Sequence, residues 1–141
     1  MSVQFSDVAP GTQLPVQTFP LQRADLVRYA GASGDFNPIH WSQQTAVGVG
    51  LPDVIAHGML TMAVALRVVT DWIGDPGAVL DYGVRFTRPV VIAAGAATEL
   101  DVTGVVRSTN EVDRTADIDL TASVAGQTVL ARARVTARLM P

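Results

Sequence analysis

The order of apolar and polar residues divides the 141-residue chain near residue 75. Before that point short helical patterns alternate with loops; after it, nearly everything reads as strand. Between Gln22 and Ala30 the pattern brings Leu26, Tyr29 and Ala30 to one side, which predicts a short helix with Gly31 as its stop. From Gly31 to His40 no helix is expected, because Pro38 lacks an amide hydrogen and holds Asn37 extended. Ser42 suits the N-cap of a second short helix through Val47, ended by Gly48. Met59 to Ile73 is apolar on nearly every side, the pattern of a buried helix, and Gly74 followed by Pro76 closes it.

From Val79 the period becomes two. Tyr82, Val84 and Phe86 alternate with Asp81, Gly83, Arg85 and Thr87, as in a half-buried strand. Pro89 and Gly95 break the run, while Val90 to Ile92 and Thr98 to Val106 supply further strand. The clearest alternation comes last, in Ile118, Leu120, Ala122 and Val124, and then in Val129, Ala131, Ala133, Val135, Ala137 and Leu139. A type II′ turn at Gly126-Gln127 would join these two strands. It sets Ile118 against Val135 and Leu120 against Ala133 on one face, with Asp119 against Arg134 on the other. The prediction is an α+β fold of one domain, residues 1–141, in which a long antiparallel sheet wraps around one buried helix. Its sheet edges are open to a second copy.

Composition narrows the functional classes. A chain of this length buries enough surface to fold without staples, and it contains no cysteine, which removes disulfides and thiolate chemistry. The formal net charge is -3 and no stretch is strongly basic, so nucleic acid is not an expected partner. The start, Met1-Ser2-Val3-Gln4-Phe5, has no basic, apolar leader. The longest apolar run carries Arg67 and Asp71 and falls short of the roughly 20 residues a membrane helix requires. A cytoplasmic protein without membrane attachment is expected. Two histidines without cysteine form no recognisable zinc pattern, and no glycine-rich phosphate loop follows a strand, so neither metal nor cofactor is expected.

The stretch with most chemistry runs from Tyr29 to His40. Asp35 and His40 lie on a segment that Pro38 and two glycines keep out of regular helix, and a kinked loop can aim both side chains at one point. Such a pair can deliver one proton and remove another in the same reaction. The competing reading makes Asp35 and Asn37 turn-formers, since such side chains hydrogen-bond their own backbone, and makes His40 an ordinary satisfied histidine.

Ser33-Gly34-Asp35-Phe36-Asn37-Pro38-Ile39-His40 resembles the hydratase motif of the MaoC-like, (R)-specific enoyl-CoA hydratase family. Ile55-Ala56-His57-Gly58-Met59-Leu60-Thr61 is similar to the start of that family's central helix. Asp75 to Val79 and Tyr82 to Thr87 extend the likeness, which looks strongest to the catalytic subunits of (3R)-hydroxyacyl-ACP dehydratases and weakest in the last strands. The resemblance implies a hot-dog fold and reversible syn addition of water to a trans-2-enoyl thioester, carried by CoA or acyl-carrier protein. It also implies a homodimer, or a heterodimer with a related hot-dog subunit. Asp35 and His40 match the family's catalytic pair, with His40 preferred for the C2 proton and Asp35 for the hydroxyl. Asn37 either orients the pair or only shapes the turn. The implied reaction builds charge on the thioester oxygen, for which the backbone N–H of Gly58, opening the buried helix, is the expected donor. His57 is expected to hydrogen-bond locally rather than to move a proton. Where some family members carry a serine along the central helix, this chain has Ala63-Val64-Ala65-Leu66.

Arg132, Arg134 and Arg138 share one strand face, with Arg85 and Arg88 on an earlier strand. They read as a solvated face balanced by Asp117 and Asp119, against the alternative of gripping CoA phosphates or an acidic carrier protein. Two other functions compete with the hydratase. A hot-dog thioesterase would not need Asp35 and His40 at this spacing, and a purely acyl-binding subunit would lack them.

Overall fold

A computed structural model describes residues 3–141 of the chain; of the N-terminal segment considered above, Met1 and Ser2 lie outside the described residues. Strand β1 (Gln17–Leu21) leads into helix α1 (Arg23–Ser33), a 3-10 turn over Pro38–His40, and helices α2 (Gln43–Gly48) and α3 (Gly58–Ile73). Strands β2 (Val79–Phe86), β3 (Thr98–Asn110), β4 (Thr115–Val124) and β5 (Gln127–Arg138) follow. The five strands form one antiparallel sheet in the order β1-β3-β4-β5-β2. The expected α+β architecture, a sheet curled around a long helix, is present. Among the described residues no helix is long and apolar enough to cross a membrane.

Alternation built the core. Leu100, Val102, Ile118, Ala122, Val135 and Ala137 are fully buried on the inner face of the sheet. They pack with Ala65, Val68, Val69 and Ile73 of α3 in one continuous cluster. Each large member stabilises the fold by about 1.5–3 kcal/mol relative to exposure.

Four expectations are corrected. Helix α1 does not stop at Gly31 but continues to Ser33; a solvent-facing glycine inside a helix costs only about 1 kcal/mol relative to alanine. The stop is Gly34, at φ 77°, whose N–H donates to the Ala30 carbonyl at 2.9 Å. Helix α3 is buried on one side only: Thr61, Ala65, Val68, Val69 and Ile73 face the sheet, whereas Met59 is 58% exposed, because the sheet covers a single face. Val90 to Ile92 is not a strand. Its residues are largely buried, yet only Val91 pairs, through an isolated bridge to Ile55.

The fourth correction concerns the β4–β5 hairpin. Its central residues are Ala125 (φ 48°) and Gly126 (φ 76°), between the paired Val124 and Gln127. Two positive φ angles belong to a type I′ turn rather than the expected type II′ turn at Gly126-Gln127. The register nevertheless returns to the expected one, with Ile118 opposite Val135, Leu120 opposite Ala133, and Asp119 opposite Arg134 in a 3.0 Å ion pair. Register shifts between Leu120 and Ser123 absorb the difference. Arg132, at φ 48°, marks the bulge. There Leu130 turns inward at 2% exposure and Ala131 is displaced from the expected inner face.

Candidate active site

Gly34 releases the chain from α1, and the loop that follows is held by its own side chains. The Ser33 hydroxyl donates to the Tyr29 carbonyl at 2.7 Å and accepts from the Asp35 amide at 3.1 Å. Asp35 Oδ1 accepts from the Asn37 amide at 3.1 Å, and Asn37 Oδ1 accepts from the Ile39 amide at 3.2 Å, capping the 3-10 turn. Pro38 opens that turn, where its missing amide hydrogen costs nothing. Asn37 thus has the turn-forming contact, and it touches Asp35 through its main chain.

This loop brings Asp35 and His40 together. Asp35 Oδ2 is 3.9 Å from His40 Nε2, with His40 buried and Asp35 half-exposed. That separation is too long for a direct hydrogen bond, and an oxygen of water or substrate can sit within bonding distance of both. The other imidazole nitrogen, Nδ1, lies 2.7 Å from the Ile55 carbonyl. Since a carbonyl only accepts, Nδ1 bears a hydrogen, and Nε2, facing Asp35 and the cleft, is the nitrogen free to gain or lose a proton. Ile55 is held in turn by the Ile39 carbonyl and the bridge to Val91.

His40 lines a cleft of about 310 Å³ together with Gly58, Thr61, Phe86, Arg88 and Leu130. Gly58 is the first residue of α3, where amides lack intrahelical partners and the helix dipole favours negative charge. A side chain there would meet the Phe86 ring, 3.1 Å from an ideal Cβ, so only glycine leaves that amide open without shifting the ring. His57, just before it, is buried, donates to the Asp35 carbonyl from Nε2 at 3.1 Å, and stacks on His40 with ring centroids 3.8 Å apart.

Asp35, His40 and His57 each offer a ligand atom within 4.8 Å of the others. Two of the four ring nitrogens already donate to main-chain carbonyls, contacts that a metal bound there would have to displace. Three contributors were not singled out from the sequence: the Ile55 carbonyl, Thr61 and Phe86. Phe86 carried a signal, being a large apolar residue that ends an edge strand, but it reads equally as core. Arg88 also parts from the other arginines. It lines the cleft and donates to Gln127 Oε1 at 2.6 Å, whereas Arg85, Arg132 and Arg134 gather on the outer face of the sheet.

Residues 6–124 match the model of the MaoC like domain. The chain belongs to the MaoC-like family. It is 39% identical over 82 residues to 3-hydroxyacyl-thioester dehydratase X of Mycobacterium tuberculosis, a match covering 58% of this chain but only 28% of that protein. It is 30% identical over 127 residues to the (R)-specific enoyl-CoA hydratase of Rhodospirillum rubrum, covering 89% of this chain and 85% of the relative. Among solved structures, a MaoC-like dehydratase superposes with a TM-score of 0.94 at 41% identity, over 98% of this chain and 42% of that one. Two complexes from Mycobacterium tuberculosis, ChsH1-ChsH2 and HadBC, share the fold at TM-scores of 0.81 and 0.73 and identities of 22% and 20%. This MaoC-like chain therefore spans less than half the length of the mycobacterial dehydratase X and of the solved chain with 41% identity. The hot-dog fold expected from the motifs is the fold of these neighbours.

Proposed function

We propose that this MaoC-like chain is a single hot-dog domain that catalyses (R)-specific hydration and dehydration, interconverting trans-2-enoyl and (3R)-hydroxyacyl thioesters of CoA or acyl-carrier protein. The observation that carries this reading is the 3.9 Å gap between Asp35 Oδ2 and His40 Nε2, at a cleft that also holds the first amide of α3. In hydration, a water in that gap gives a proton to the Asp35 carboxylate as its oxygen bonds to C3. The C2–C3 π electrons move toward the thioester, and His40, protonated at Nε2, supplies the proton that bonds to C2. Both additions come from one gap and so to one face. Asp35 then returns its proton to His40, leaving the pair as it began. Charge that develops on the thioester oxygen is met by the Gly58 N–H, a contact whose loss in comparable sites costs about 2.7–4 kcal/mol of barrier. Dehydration is the reverse, with His40 taking the C2 proton and Asp35 protonating the departing hydroxyl.

The proposed enzyme is cytoplasmic, in keeping with relatives named for acyl-thioester metabolism. It pairs with a second hot-dog subunit, its own copy or a related chain. Exposed Met59 and half-exposed Phe86, beside Gly58 at the cleft, support a covering partner.

The test is loss of enoyl absorbance with crotonyl-CoA and with a longer trans-2-enoyl-CoA. Asp35→Asn and His40→Ala are each expected to lower turnover by about a hundredfold or more while remaining folded. Activity surviving both substitutions overturns the assignment, and thiol release in place of hydration makes the chain a thioesterase.

A further inference from the structure

His57 takes no part in these proton transfers, yet it touches both residues that do, Asp35 at its main chain and His40 at its ring. Its Nε2 faces the Asp35 main-chain oxygen at 3.1 Å, so Nε2 carries the ring hydrogen and Nδ1 is bare. Nδ1 is buried without a hydrogen-bond partner among the described residues. Protonating the ring would bury a second N–H with nothing to accept it, together with a charge. Burial is the main influence holding the His57 pKa below the usual histidine value. The bond to the Asp35 carbonyl opposes it, the His40 ring adds to it, and the Asp35 charge opposes it. The titratable groups against this ring are Asp35, His40 stacked at 24°, and Tyr29, which meets it edge-on at a centroid distance of 4.7 Å.

We infer that His57 is a positioning residue for the proposed reaction, pinning the Asp35 main chain through Nε2–H while presenting an uncharged ring face to His40. This inference rests on the roles given above to Asp35 and His40. One rigid, buried side chain thereby sets both ends of the 3.9 Å gap. The uncharged face has a second consequence. When His40 holds its proton, a cation lies over a neutral aromatic ring, which attracts it, whereas a protonated His57 would repel it. The ring's neutrality is therefore part of the positioning.

The chain has only two histidines, so ring nitrogens can be assigned by ¹⁵N NMR on the intact protein without any substrate. His57 is expected as the Nε2–H form with bare Nδ1, and to keep that form as pH falls through the ordinary histidine value of about 6.5. Kinetics supply the second arm. His57→Phe keeps a ring but loses the donor, and should lower kcat by about tenfold to a hundredfold, as a small displacement of a reacting group does. KM should stay within about threefold, since no interaction with substrate is removed. His57→Gln, which restores an N–H, should recover most of kcat. In an Asp35→Asn background the same His57→Phe change should cost less than about threefold, because the lost donor acts on the reaction only by positioning the Asp35 carboxylate, which is then absent. A His57 that protonates in the ordinary range, an Nδ1–H tautomer, equal losses in the Phe and Gln variants, or KM rising in step with the loss of kcat would each overturn the inference. An inactive wild type with the expected NMR tautomer would instead count against the hydratase reading and leave the uncharged clamp standing.

Discussion

The β4–β5 hairpin and the Gly34–His40 loop are built on opposite logics. In the hairpin, many residues say the same thing. Ile118, Leu120, Ala122, Ala133, Val135 and Ala137 all point inward, so a turn displaced by one residue is absorbed by bulges and the central register survives. In the loop each contact occurs once. Ser33 holds the Asp35 amide, Asp35 holds Asn37, Asn37 holds Ile39, Ile55 holds His40 Nδ1, and His57 braces the Asp35 carbonyl and the His40 ring, each contact of a different kind. Redundant burial fixes a shape that tolerates local error; a chain of single hydrogen bonds fixes atom positions and tolerates little. Stability should thus be lost chiefly in the sheet and activity chiefly in the loop and at the start of α3.

The largest effect should come from the sheet. Ile118→Ala, at a fully buried centre, should cost about 2–5 kcal/mol in denaturant unfolding while leaving kcat of the folded fraction within twofold or so of wild type. An intact midpoint would mean that the core is less continuous than the packing indicates. Gly58→Ala comes next and should do the reverse. Its new methyl pushes the Phe86 ring into the cleft and crowds the α3 amide, so turnover should fall about tenfold or more, with stability changed by about 1 kcal/mol or less. Full activity in this variant would overturn the claim that only glycine leaves the α3 amide open beside Phe86. The smallest effect sharpens the contrast. Ala125→Asn places Asn-Gly in a turn whose φ angles are both positive, and should raise the unfolding midpoint by a few tenths of a kcal/mol to about 1 kcal/mol without altering turnover. A lowered midpoint would contradict the type I′ assignment.

The same contrast explains which parts were legible in the sequence. Helix α3 was placed within one residue because its apolar run is long, and β4 and β5 were found because alternation is sustained from Ile118 to Val124 and again from Val129 to Leu139. Strand β1 went unrecognised. It is short, contains Pro20, and buries only Phe19 and Leu21. The turn was misplaced because nothing in an alanine announces a left-handed conformation, and Gly31 misled because a helix can carry an exposed glycine while the real cap lies three positions on. At the site, Asp35, Asn37, His40 and Gly58 were visible as residue types in a motif. Of the partners that orient them, His57 was visible as a local hydrogen-bonder, while the main-chain oxygens and Phe86 were not. A main-chain oxygen such as that of Ile55 has no signature of its own, and the approach of Phe86 to Gly58 depends on where an edge strand ends.

Both imidazoles hand their ring hydrogen to the main chain, His40 to the oxygen of Ile55 and His57 to that of Asp35. No amino-acid replacement at an acceptor position deletes a carbonyl. The side chain at 55 can therefore drift as long as the bridge to Val91 keeps the backbone in place. Where the protons reside on these rings is in that sense a property inherited with the backbone path, shielded from most point substitutions at the acceptors. It becomes vulnerable only to changes that bend the chain itself, such as a proline or a deletion between α2 and α3.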